Sequence, residues 1–337
     1  MAMPPLTPID MAMQMACGYI ASSALNAAAR LKIADLLNDG PKHVSDLAKE
    51  TSTNSDILYR VLRALASSGV FVEVTPHVFA NTPISEVIRT DHPQSIYDMV
   101  IWICDSFHYD AYRDMLPILR EGKSASEIVF HKPVFEAIFS DPNLTRTFNN
   151  AMTSMSAQVI PAVLQAYDFG GIGTLADIAG GHGFVITAIL KKYPEMKGIL
   201  FDLPNVVVGA RDRIEKMELT DRLEIVDGDF FVSVPPADAY IMKHIIHDWD
   251  DDKAATIIKN CGKNLEAGGK VILVETVLPI GNEPHMGKWI DIEMFMLPGG
   301  RERTQEEFRE LFDRAGFKLN KIVPTQSPLC VVESEKI

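Results

Sequence analysis

The sequence predicts an α/β protein, with a Rossmann-like parallel sheet over residues 169–337 behind an N-terminal helical domain built around a winged helix-turn-helix. Three observations carry this reading. From residue 174 onward, short apolar runs of strand length alternate with helical patterns, which is the signature of a parallel sheet covered on both faces. A glycine-rich turn, Asp177-Ile178-Ala179-Gly180-Gly181-His182-Gly183, separates the first such strand from its helix. Residues 43–80 read as helix, turn, helix and hairpin. The domain limits that follow are 1–95 for the winged-helix part, 96–168 for a helical connector and 169–337 for the sheet domain.

In chain order, residues 9–38 read as one helix, with Ile9, Met13, Ala16, Ile20, Ala24 and Ala27 three and four apart. Met11, Met15, Tyr19 and Leu25 make it apolar on other sides too, so it asks for burial on more than one face and predicts a subunit interface. Ser45 is placed to cap a helix over 46–50, and Ser55 a second one with Ile57, Leu58, Val61, Leu62 and Leu65 on its apolar side. Gly69 ends it, and 70–74 and 78–80 form a hairpin around Thr75-Pro76-His77.

A winged helix raises the possibility of DNA binding, but the charge opposes it. The 337-residue chain carries 45 acidic and 32 basic residues, a net charge of −13. Residues 1–100 hold seven Lys and Arg against ten Asp and Glu. Such a surface repels a phosphate backbone, so a dimerisation scaffold is the expected use, with no nucleic-acid partner. Four cysteines without a CxxC pair point to neither a zinc site nor a disulfide framework. The absence of a signal-peptide pattern or a long apolar run gives the cytoplasm as the expected compartment, with no membrane partner.

Residues 92–168 are helical in pattern and rich in aromatic and methionine side chains, Phe148 and Met152 among them. Some of these are expected to line an apolar pocket for a flat ligand. In the sheet domain, strands are expected at 174–179, 198–201, 223–226, 239–242 and 270–275. The helices fall at 185–193, 206–216, 253–265 and 304–315, and a final antiparallel pair at 317–323 and 329–333.

The glycine turn lets a ligand approach the backbone and aims amide groups at it. Asp202 follows nineteen residues after Gly183, at the end of the second strand, where a carboxylate can accept from two ribose hydroxyls. This pair suits either NAD or S-adenosylmethionine. The dinucleotide pattern wants a small residue at position 186 and finds Ile186, which favours the methyl donor. Asp229 and Phe230, in Gly228-Asp229-Phe230-Phe231, are placed to hold and cover an adenine.

Lys243-His244-Ile245-Ile246-His247-Asp248-Trp249 stands just past the fourth strand, where open parallel sheets bind their ligands. His247 there is a candidate general base for a phenol or alcohol. Methyl transfer then needs mainly alignment of the oxygen with the methyl group. Glu275 and Glu302 are each able to hold the imidazole. His244, His247 and the acids at 248 and 250–252 raise a metal site as the rival. However, Asp250 reads as a helix N-cap and no second carboxylate cluster completes a cage, so no metal is expected. Thr304 with Glu307 matches a capping box.

Taken together, these motifs resemble the dimeric O-methyltransferases of the plant caffeate and flavonoid type, whose relatives include acetylserotonin O-methyltransferase. The likeness runs from the N-terminal helix to Val332. It rests on the glycine turn, Phe201-Asp202-Leu203-Pro204, Gly228-Asp229-Phe230, His247-Asp248-Trp249 and Gly299-Gly300-Arg301-Glu302-Arg303-Thr304. It implies an S-adenosylmethionine-dependent O-methyltransferase working without metal, as a homodimer with intertwined N-terminal helices, on a hydroxyl of a small aromatic metabolite. Ser156, Gly180, Asp202, Leu203, Asp229, Phe230 and Lys243 would contact the cofactor. His247 would be the base, with Glu275 and Glu302 beside it. Phe148, Met152, Trp249, Asp291 and Met294 would meet the acceptor. The chain departs from that pattern at His182, where many relatives have a small residue, and at Leu297, where the caffeate enzymes have an acceptor-contacting asparagine. The second departure argues against a caffeate-like acceptor. A nicotinamide oxidoreductase and a winged-helix regulator with a retained cofactor fold are the alternatives.

Overall fold

The computed structural model describes residues 7–113 and 115–337. They form two compact units. The first holds the chain up to Asp110 together with Arg146–Ser154, and the second holds Ala111–Thr145 and Met155–Ile337. The first unit is a winged helix. Helices Val44–Glu50 and Ser55–Ser67 are followed by strands Phe71–Thr75 and Val78–Asn81, which pair antiparallel, and Lys42–His43 adds a third strand. Leu47, Leu58, Leu62, Leu65, Phe71 and Phe79 form its core.

Several local expectations shift here. The long N-terminal helix is three helices, Pro8–Ala16, Gly18–Arg30 and Ile33–Leu36, because Cys17 closes the first and Lys32 turns left-handed at φ 53°. The helix caps are one or two residues earlier than expected. His43 Nδ1 accepts from the Ser45 amide, and Asn54 Oδ1 from the amides of Asp56 and Ile57. Ile57, expected on the apolar side, is exposed. So are Ile9 and Met15, at 74% and 70%, along with Met11, Met13, Tyr19 and Ile20. Arg63 lies 5.3 Å over the Tyr59 ring.

The second unit is built on seven strands: β1 Thr174–Ile178, β2 Lys197–Asp202, β3 Leu223–Asp227, β4 Ala239–Lys243, β5 Lys270–Glu275, β6 Phe317–Pro324 and β7 Cys330–Lys336. Their order across the sheet is β6-β7-β5-β4-β1-β2-β3, with β6 and β7 antiparallel to their neighbours and the rest parallel. Alternate residues of the central strands feed two cores. Leu175, Ile241, Ile272 and Val331 pack with helix Phe184–Lys192. Ala176, Tyr240, Leu273 and Val332 pack with helices Asp251–Gly262 and Gln305–Ala315. Burial on both faces explains why these strands read as continuous apolar runs. The expected helix over 206–216 is divided into Pro204–Val207, a 3₁₀ turn and Arg211–Lys216. Asp250 caps its helix, and Thr304 and Glu307 form the capping box, as the sequence indicates. No helix among the described residues is long and apolar enough to cross a membrane.

The topology places the ends of β1, β2, β4 and β5 side by side, because the four strands run parallel and adjacent. Those four ends carry the glycine turn, Asp202, the Lys243–Trp249 segment and Glu275.

Candidate active site

The glycine turn is shaped by close packing below and open space above. A Cβ on Gly180 would stand 2.5 Å from Leu200 Cδ1 and 2.7 Å from Asp177 Cγ, so only glycine fits there. Gly181 is left-handed, at φ 58°, and a Cβ there would meet nothing within 4 Å. Its amide donates to Asp202 Oδ2 at 2.8 Å, and the Leu203 amide donates to Asp202 Oδ1 at 2.7 Å. A carboxylate with one donor on each oxygen keeps capacity for two further donors, as a ribose diol would supply. Asp177 lies under the turn, and burial pushes its carboxyl up to about 7. Phe230 meets Phe231 edge-on at 4.8 Å and Trp249 at 6.0 Å, so the indole belongs to the same aromatic group. Asp229 is exposed and accepts from the Phe231 amide. Ser156 is buried on the helix Pro142–Ala166. The open space above Gly181, the paired Asp202 and the aromatic group fit the adenosine and ribose of S-adenosylmethionine. Lys243 ends β4 beside them, and burial lowers its pKa.

The catalytic candidates meet one strand away. His247 sits in a 3₁₀ turn, Ile246–Asp248, and is buried to 8% exposure. Its Nδ1 lies 2.8 Å from Glu302 Oε1. Glu275 holds the same turn differently. Its Oε1 accepts the amides of Ile245 and Ile246 at 3.1 and 3.0 Å, while Oε2 stands 3.7 Å from His247 Nδ1. Glu302 and Glu275 each keep one buried oxygen without a partner. Burial, then the negative charge of Asp291, raises Glu302 to about 8. Burial likewise raises Glu275, and brings Asp248 to about 7.

Asp291 accepts the Glu302 amide at 2.8 Å, and Met294 offers its carbonyl to Gly300 at the same distance, so both brace the Glu302 loop. Phe148 and Met152 belong to the first unit, where the Phe148 ring packs on Trp102 at 5.2 Å. The sequence raises His244 only as a rival metal ligand and gives Arg303 no role of its own. His244 takes a left-handed φ of 55° and stacks on His247, ring centroids 4.7 Å apart. Arg303 is the largest fully buried side chain among the described residues. Arg303 lies in the Gly299–Thr304 motif, but nothing in its spacing distinguishes a buried arginine from an exposed one.

Residues 112–318 match the O-methyltransferase domain and residues 13–91 the O-methyltransferase dimerisation domain. The chain is 41% identical to a phenazine O-methyltransferase, PhzM, from Lysobacter antibioticus over 326 residues, covering 96% of this chain and 95% of that one. The crystal structure of LaPhzM superposes with a TM-score of 0.92 at 40% identity, covering 98% of this chain and all of that one. The calicheamicin-biosynthesis methyltransferase CalO1, solved with S-adenosylhomocysteine bound, superposes at 0.87 and 30% identity, with 99% of this chain and all of that one covered. The chain therefore belongs to the O-methyltransferase family that pairs a dimerisation domain with a Rossmann-like methyltransferase domain. It is an S-adenosylmethionine-dependent O-methyltransferase, and neither the nicotinamide nor the regulator alternative stands.

Proposed function

We propose that this enzyme methylates a hydroxyl of a small, flat aromatic metabolite, with His247 as the general base. The observation that carries the proposal is the 2.8 Å contact between His247 Nδ1 and Glu302 Oε1, made by a buried imidazole at the carboxyl end of β4. Ser156, Gly180, Asp202, Leu203, Asp229, Phe230 and Lys243 are the cofactor contacts in this reading, and Trp249, Asp291 and Met294 face the acceptor. S-adenosylmethionine supplies an electrophilic methyl group on its sulfonium when bound. With Glu302 ionised, His247 donates from Nδ1 and keeps the Nε2 lone pair to take the hydroxyl proton. The imidazolium formed is then stabilised by Glu302, and Glu275 keeps the turn in place through its two main-chain bonds. The exposed Ile9, Met11, Met13, Met15 and Tyr19, on helices inside or next to the matched dimerisation domain, support a homodimer.

The named activity of the Lysobacter relative makes hydroxyphenazines the first acceptors to test. Incubating the protein with S-adenosylmethionine and a panel of hydroxyphenazines and simple phenols should give a product heavier by one methylene, together with S-adenosylhomocysteine. A panel without any such product would remove the aromatic-acceptor reading. Light scattering should return a dimer, and a monomer at micromolar concentration would contradict the assembly.

A further inference from the structure

We propose that Arg303 is a positioning residue that fixes His247 and Glu302 on one rigid bracket, with Gly300 admitting the contact. This rests on the reading of His247 as the base. The Arg303 side chain is 1% exposed and has five N–H donors. Its Nε and Nη2 donate to Asp251 Oδ1 at 3.0 and 2.8 Å. Nη1 donates to the carbonyls of Ile246 and Arg301 at 3.1 and 3.2 Å, and Nη2 to that of Trp249 at 2.9 Å. All three carbonyls are main-chain groups of the catalytic segments. Two of them flank His247 and Asp248, and the third precedes Glu302. An arginine serving only as a core ion pair would need Asp251 alone.

The backbone completes the bracket. The Arg301 amide donates to the His247 carbonyl at 2.8 Å. A Cβ on Gly300 would stand 2.0 Å from that same carbonyl oxygen and 2.3 Å from the Asp248 carbonyl carbon, so the two segments touch main chain to main chain. Arg303 is also paired with Val277, two residues beyond Glu275, in a short parallel ladder. One guanidinium thus ties together the segments that carry His247 and Glu302, and the Arg303 main chain pairs them with the segment that carries Glu275. Lysine cannot do this, because a single ammonium has no planar fork to reach both flanking carbonyls and the carboxylate.

The test compares wild type with Arg303→Lys and Gly300→Ala, two lesions of one contact from opposite sides. In protein labelled with ¹⁵N-histidine, saturated with S-adenosylhomocysteine and held above a pH of about 8, where Glu302 is ionised, the wild type should show a protected, downfield Nδ1 proton that His247→Ala removes. Both variants should lose that proton while binding S-adenosylhomocysteine within about threefold of wild type. With 1-hydroxyphenazine as acceptor, kcat should fall about 10- to 100-fold with KM nearly unchanged, the cost of misplacing a catalytic group by a fraction of an ångström to one ångström. If Arg303→Lys does not fold, Gly300→Ala decides alone, since it leaves every Arg303 donor in place. An unchanged proton signal and unchanged kcat in Gly300→Ala would overturn the proposal. Loss of cofactor binding in both variants would also overturn it, because the bracket would then be a folding element. Full activity in His247→Ala would sink the base reading instead, while the proton signal would still report on the bracket.

Discussion

The two ligand-facing turns of the second unit, one after β1 and one after β4, are built on opposite principles. The glycine turn at 177–183 is held mainly by its own backbone and by Asp202, whose two oxygens both have donors. The His247 turn is held by side chains and loops from far along the chain, Glu275, Glu302 and Arg303, and both glutamates keep a buried oxygen unpaired. A turn that binds a cofactor needs only small residues and exposed amides. A turn that moves a proton, the role proposed for His247, needs a ring fixed in orientation, with charged groups beside it. The unpaired oxygens and the carboxyl pKa values raised by burial support the role proposed for this turn.

The widest separation of the two turns should come from His247→Ala. Removing a positioned base lowers kcat by about 10²–10⁴, and binding of S-adenosylhomocysteine should stay at the wild-type level. The loss should shrink for acceptors of lower hydroxyl pKa, which arrive already ionised. An equal loss across a series of substituted phenols would reduce His247 to a steering role.

Asp202→Ala should do the reverse. Losing a carboxylate that serves two ribose hydroxyls costs about 2–4 kcal/mol of cofactor affinity, given roughly 1.5–3 kcal/mol for each charge-assisted bond and partial compensation by water. Calorimetry with S-adenosylhomocysteine measures this directly, and unchanged affinity would remove Asp202 from the site. At saturating cofactor kcat should recover, which His247→Ala cannot do.

The difference in construction also explains what was legible in the sequence. The order of strands and helices, the glycine turn, Asp202 and both helix caps at 250 and 304 follow from contiguous residues and their spacing. His247 and Glu302 were legible as a family pattern, but their contact joins residues 55 apart, which no local periodicity encodes. The division of roles between the two glutamates, one on the ring and one on the turn's amides, needed the register of β5 beside β4. Arg303 stayed hidden because its meaning lies in three carbonyls, and carbonyls leave no trace in residue type. The break of the N-terminal helix at Cys17 and Lys32 was missed for a related reason, since apolar spacing carries across a kink.

A smaller effect is expected at Glu302, and it is pH-dependent. Burial and Asp291 raise its carboxyl to about 8. Below that pH Glu302 carries a proton and donates it to His247 Nδ1, which leaves the hydrogen on Nε2 and blocks the base. Above it the carboxylate accepts from Nδ1 and Nε2 is free. In wild type, kcat should therefore rise with pH through about 8 as Glu302 ionises. Glu302→Gln, whose amide oxygen still accepts from Nδ1, should flatten that rise and lower the maximum about tenfold by removing the charge that stabilises the imidazolium. A wild-type profile without the rise, or a variant that keeps it, would place the titrating group elsewhere.

The smallest effect should be none at all, on treatment with EDTA. Among the described residues, donor atoms of His244, His247 and Glu275 lie within 4.8 Å of one another, which by distance alone invites a metal ion. Orientation argues otherwise. The two imidazole planes are 11° from parallel with centroids 4.7 Å apart, so the in-plane lone pairs run side by side instead of converging on one point. A zinc-like ion needs ring nitrogens aimed at it from about 2.0–2.1 Å, and His247 already commits Nδ1 to Glu302. Rotating either ring to reach an ion would break the stack or that contact. Turnover of any accepted phenol should therefore survive EDTA and dialysis without change. Inactivation that Mg²⁺ or Zn²⁺ restores would mean the His244–His247 stack opens in the working enzyme, and the catalytic turn would then be a metal site whose rings rearrange on binding.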